Sequence, residues 1–135
     1  YLDDSQISAI HAATDVTGFG MAGHGLQLAK ASKVTLSIKH SQLPLFKLSY
    51  TSLRDGHMTK AHRTNREYTA SSLNFFNVDP LEQEIYFDPQ TSGGLLLSVR
   101  ADAAQSIIES LNRNFSHTCV IGSVIKQDEY YVRVD

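Results

Sequence analysis

Apolar and polar positions along this chain fall into short patches of two periods. Val34, Leu36 and Ile38 alternate with Thr35, Ser37 and Lys39, which predicts a strand with one buried face. Ala104, Ile107, Ile108 and Leu111 recur at helical spacing, predicting a helix over 101–112. A second helix is predicted over 21–31, with Met21, Leu28 and Ala29 turned inward. Asp4 or Ser5 is predicted to cap a first helix reaching about residue 12, burying Ile7 and Ile10. Residues 13–17 read as extended and 18–20 as a turn. Pro44 is predicted to open a helix that ends at Arg54, stopped by Asp55-Gly56. Residues 57–66 are polar and irregular, and 67–76 read as helical. Strands are predicted at 84–87 and 95–99, around a glycine-bearing turn. Two closing strands are expected at 119–124 and 130–134, turning at Gln127-Asp128-Glu129. Helices and strands mix without strict alternation. The expected fold is therefore α+β, with helices packed on a mixed sheet in one domain over residues 1–135.

Composition narrows the function. The 135 residues carry 12 Lys and Arg against 14 Asp and Glu, a formal net charge of -2. That balance argues against non-specific nucleic-acid binding, which needs a cationic surface to release counterions. No apolar run reaches the length of a membrane span, so no membrane partner is expected. One cysteine, Cys119, excludes an internal disulfide and is expected within a buried strand. A cytoplasmic location is the expectation from this cysteine usage. The first residue is Tyr1, which leads to the expectation of a longer parent polypeptide.

Two segments carry candidate chemistry. In Thr14-Asp15-Val16-Thr17-Gly18-Phe19-Gly20, a carboxylate ends an extended stretch just before a turn and a helix. Mg²⁺ accepts one or two carboxylates and takes phosphate and water for the rest, and helix N-termini favour anions. The same residues can equally serve only to organise a turn and cap a helix. Gly18, Gly20 and Gly23 match G-x-G-x-x-G, but Ile38 to Leu43 offer no ribose-binding acid, which counts against a dinucleotide site. In Asp88-Pro89-Gln90-Thr91-Ser92-Gly93-Gly94-Leu95, two glycines let N–H groups converge on an anion, and Thr91 and Ser92 add hydroxyls. A plain chain reversal explains those glycines as well. Lys60, His62, Arg63 and Arg66 make either a cationic wall or a solvated polar face.

Taken together, Ala13-Thr14-Asp15-Val16-Thr17-Gly18-Phe19-Gly20 with Gly23-His24, and Asp88 to Leu95, resemble two signatures of the selenide, water dikinase family. The resemblance spans nearly the whole chain and corresponds to the carboxy-terminal half of the family's proteins. It implies the fold of the aminoimidazole ribonucleotide synthetase carboxy-terminal domain. It also implies an enzyme making selenophosphate, phosphate and AMP from ATP, selenide and water, dimeric at full length. By the same resemblance, Asp15 matches a Mg²⁺ ligand, and Thr17, Gly18, Gly20, Thr91, Ser92, Gly93 and Gly94 are the candidate ATP-phosphate contacts. The family's reactive Cys or selenocysteine, its Lys and most ATP ligands belong to the amino-terminal domain. This domain alone is therefore expected to fold without catalysing. Many members carry Gly-Gly-Thr-x-x-Asn in mid-domain. Here only Asn65 corresponds, and the paired glycines are missing. The rival readings are another ATP-dependent enzyme of the same superfamily and a non-catalytic binding module.

Overall fold

A computed structural model describes residues 1–135 and bears out the α+β expectation. The elements are α1 (Asp4–Ser8), β1 (Ile10–Asp15), α2 (Gly20–Ser32), β2 (Val34–Ile38), α3 (Ser49–Arg54) and α4 (Lys60–Thr69). There follow β3 (Leu73–Phe75), α5 (Pro80–Gln83), β4 (Leu95–Val99), α6 (Ala104–Asn112), β5 (Gly122–Lys126) and β6 (Val132–Val134). Four strands form a mixed sheet in the order β3-β6-β2-β5. β2 pairs antiparallel with β5 and parallel with β6, and β3 pairs parallel with β6. β1 and β4 form a separate antiparallel pair, with Asp15 opposite Leu95. No helix is long and apolar enough to cross a membrane.

α2 lies on the four-stranded sheet. Its buried Ala22, Leu26 and Ala29 join Leu36, Ile38, Val132 and Val134 in the main core. The helix passes close over the sheet at Gly25, where a methyl would make ordinary contact with Leu36 and Val132. A smaller core of Ala9, Ala103 and Ile107 packs α6 beneath the β1–β4 pair. Each core removes apolar surface from water, and that burial is the main stabilising term.

Several local expectations give way to tertiary demands. α1 ends at Ser8, and its cap is Asp3, whose carboxylate accepts from Gln6 N in a capping box. Gln6 is buried there while Ile7 is exposed, because Gln6 bonds Ser106 O and Ser110 Oγ on α6. Pro44 opens no helix; α3 starts only at Ser49 and stops at Asp55-Gly56 as expected. Residues 57–59 are irregular as expected but 60–66 are not, since α4 begins at Lys60 under a Thr59 cap and ends at Thr69. Residues 73–75 of the expected second half are a strand. Residues 84–87 form a 3-10 turn that buries Ile85, Tyr86 and Phe87 in succession, which a one-sided strand cannot do. β4 accordingly pairs with β1 instead of with that segment. The two closing strands do not pair with each other: β5 and β6 flank β2 on opposite sides. Cys119 is exposed and precedes β5, so the expected burial in a strand is overturned.

Candidate functional site

β1 positions the first motif. Its odd residues His11, Ala13 and Asp15 are exposed and its even residues are half-buried, as period two requires. Asp15 therefore stands on the open side of the β1–β4 pair, at its end, beside the exposed Leu95. No Lys, Arg or His pairs with its carboxylate. The chain then turns sharply. Gly20 sits at φ 67°, and a side chain there would lie 2.7 Å from Tyr86 O and 3.0 Å from Asp88 O. Only glycine meets both conditions.

This close approach brings the two motifs together. Val16 N donates to Gly94 O at 2.9 Å, and Gln90 N donates to Thr17 O at 3.0 Å. A Cβ on Gly93 would run into the Val16 carbonyl oxygen. The glycines of the second motif thus serve close packing against the first, besides any contact with a ligand. Thr91, Ser92 and Gly94 lie exposed on the same loop. Gly18 is exposed as well, with nothing near a Cβ built on it. Thr17 is occupied within its loop: its Oγ1 is 3.0 Å from His24 Nε2. His24 is buried in α2 and stacks edge-on against Phe19, so it supports the turn.

A single side chain ties both loops to α4. Asn65, 3% exposed, donates from Nδ2 to Gly18 O at 2.9 Å and to Phe87 O at 3.0 Å. The sequence carried one signal for this element. His62, Asn65 and Thr69, the buried residues of α4, fall at i, i+3 and i+7, a helix face written in polar residues.

Of the two readings of Lys60, His62, Arg63 and Arg66, the cationic wall is the less favoured, since most of its charge is paired. Arg63 lies 3.5 Å from Glu67, Arg66 pairs with Glu84, and Arg66 also stacks over the Phe87 ring at 4.9 Å. His62 turns inward, with Nε2 2.6 Å from Glu84 Oε2. An open groove of about 570 Å³ runs between α4 and α5, lined by Thr59, Arg63, Arg66 and Glu84 among others. Neither Asp15 nor the Gly93 loop lines it.

Two titratable groups here depart from their ordinary values. Burial pushes the Asp88 carboxyl up, opposed by the charge of His62. Burial pushes the His62 imidazole down, against the pull of Asp88 and with the push of Arg66. The buried second nitrogen gives the same direction for His62, against the pull of the Glu84 carboxylate. With Nε2–H donated to Glu84, a second proton would go to Nδ1, which is buried without a partner. The unfolded chain, with its histidine near 6.5, then binds a proton that the fold resists. Stability is complete above that value and falls as pH drops below it. Thermal midpoints measured downward from about pH 7.5 are expected to decline, and to decline less in His62→Gln. Equal slopes would assign the pH response elsewhere.

The donor set for a metal is small. No three His, Cys, Asp or Glu side chains come together to hold an ion. One exposed, unpaired carboxylate does fit Mg²⁺ that draws its other ligands from phosphate, water and a second protein surface. The arrangement offers one carboxylate beside a hydroxyl- and glycine-bearing loop, rigidly joined.

Comparison with known proteins bears out the resemblance read from the two motifs. The chain is 44% identical, over all 135 residues, to a selenide, water dikinase of Nitrosomonas eutropha, of which it covers 39%. It is 44% identical over 120 residues to one of Bdellovibrio bacteriovorus, covering 89% of this chain and 34% of that protein. The matched part is the carboxy-terminal portion of these relatives, so the chain spans well under half their length. Among solved structures, the hydrogenase maturation protein HypE aligns at a TM-score of 0.53 and 17% identity, covering 87% of this chain and 29% of that one. A structure of HypE in complex with ATP aligns at 0.56, again at 17% identity, covering 87% of this chain and 28% of that one. At that identity the likeness concerns the fold. Residues 3–135 match the model of the AIR synthase related protein, C-terminal domain. With all but the first two residues inside that match, the chain belongs to the AIR synthase related protein C-terminal domain family.

Proposed function

We propose that this chain is the carboxy-terminal domain of a selenide, water dikinase, which converts ATP, selenide and water to selenophosphate, orthophosphate and AMP. The observation that carries the reading is the 44% identity over the entire chain to proteins of that name. The packing of the two signature loops against each other adds support. Residues 1–135 act as one domain, completed by an amino-terminal domain of the same polypeptide. Two exposed apolar side chains near Asp15, Phe19 and Leu95, suit a surface that another part of the protein covers. The full-length enzyme is a homodimer of the cytoplasm.

In this reading Asp15 is a Mg²⁺ ligand, completed by groups of the amino-terminal domain. Mg²⁺ supplies neutralisation of charge on the phosphates of ATP. Thr91 and Ser92 offer hydroxyls, and Gly93 and Gly94 backbone N–H groups, to the same phosphates. Thr17, Gly18 and Gly20 shape the loop that aims Asp15. HypE has been solved with ATP, and its shared fold favours a nucleotide here too.

The test uses the full-length protein. Incubated with ATP and selenide, it is expected to form AMP, orthophosphate and selenophosphate, followed by phosphorus NMR. Residues 1–135 alone are expected to form none. AMP formation that does not depend on selenide would reject this function.

A further inference from the structure

We propose that Asn65 is a positioning residue, a clamp that holds the Asp15 loop against the Asp88 loop. Its catalytic consequence rests on the function proposed above; the clamp itself rests on geometry alone. One nitrogen bonds two carbonyls from distant parts of the chain, Gly18 O and Phe87 O. Gly18 follows Asp15 by three residues, and Phe87 immediately precedes Asp88. No other side chain bonds both loops.

The chemistry requires an amide. A neutral carboxamide offers two N–H donors from one atom, so it joins two acceptors without burying a charge. The helix that carries it is itself held: the Asn65 backbone carbonyl accepts from Thr69 Oγ1 at 2.9 Å, and α4 is tied to the 84–87 turn through His62 and Arg66 on Glu84. Removing the donors takes this partner from the buried Phe87 carbonyl, which is costly, and frees the more exposed Gly18 carbonyl to turn to water. Beyond the end of the β1–β4 ladder at Asp15 and Leu95, the loops then stay joined by the Val16–Gly94 and Gln90–Thr17 backbone bonds. Asp15 lies one residue before the first of those bonds. The clamp therefore acts on the turn that leaves Asp15, and through that turn on how its carboxylate meets a ligand.

The experiment compares native full-length protein with Asn65→Ala and with Asn65→Asp, which keeps the volume but only accepts. Hydrogen–deuterium exchange is read at Val16 and Gln90, with Leu36 and Val132 in the four-stranded sheet as internal references. Exchange at the loop amides is expected to rise about tenfold while the references hold. The half-saturating Mg²⁺ concentration for AMP formation is expected to rise about tenfold, with KM for ATP nearly unchanged. Asn65→Gln, which keeps both donors on a longer arm, should recover part of both. Unchanged exchange at Val16 and Gln90 would overturn the clamp whatever the activity. Faster exchange with unchanged Mg²⁺ demand and turnover would overturn the positioning role. A native protein that makes no AMP from ATP and selenide would refute the function, and exchange alone would then decide the clamp.

Discussion

Replacing Asp15 by Asn in the full-length protein is expected to lower turnover about a hundredfold or more, with little change in thermal midpoint. The two halves of that result have separate causes. Asn preserves the shape of the side chain and removes its charge. A hard cation favours carboxylate oxygen, and the charge it neutralises on transferring phosphoryl groups is worth several kcal/mol of barrier. A loss of about 2.7 kcal/mol corresponds to a hundredfold in rate. The fold should be indifferent, because Asp15 is exposed and pairs with no cation. Exposed substitutions of this kind usually change stability by less than about 0.5 kcal/mol. Initial rates across a Mg²⁺ titration, beside calorimetric unfolding, separate the two effects. Unchanged turnover with an unchanged Mg²⁺ requirement would remove Asp15 from the site.

Gly93→Ala is expected to be the most destabilising of the glycine substitutions in the second motif, and Gly94→Ala to be nearly silent for the fold. The neighbours differ although the residues are adjacent. A methyl on Gly93 would collide with the carbonyl oxygen of Val16, and Gln90 Cβ lies 3.0 Å away. Val16 cannot retreat easily, because its own N–H is bonded to Gly94 O. Overpacking of this kind costs about 1–3 kcal/mol where side chains can yield, and backbone yields less. A loss of about 3 kcal/mol would lower the midpoint of a domain this size by about 10 °C. A Cβ on Gly94 meets nothing within 4 Å. Calorimetry of both variants tests the contrast. Equal midpoints would mean that the two loops do not press together as described.

Where apolar residues themselves mark the buried face, local pattern was enough. α2, β2 and α6 lie close to where periodicity put them. Even there the face was only partly legible: Thr35 is fully buried in β2, its hydroxyl bonding Tyr130 O at 2.6 Å and accepting from Asp128 N. α4 was missed because its inner face is His62, Asn65 and Thr69, whose partners come from other elements or its own backbone. Hydropathy has no term for a polar residue that will be satisfied from elsewhere. The segment 84–87 was misread because a short apolar run does not distinguish a strand from a buried turn.

The residues alone determined the fold class, the two signature segments and the presence of Asp15 at the end of an extended stretch. They did so because turn chemistry and period depend on neighbours in sequence. Only the tertiary structure decided that β4 pairs with β1, that Gly93 is needed beside Val16, and that Asn65 joins Gly18 to Phe87. Those are contacts between distant parts of the chain, where one group becomes the environment of another. No local window contains both partners.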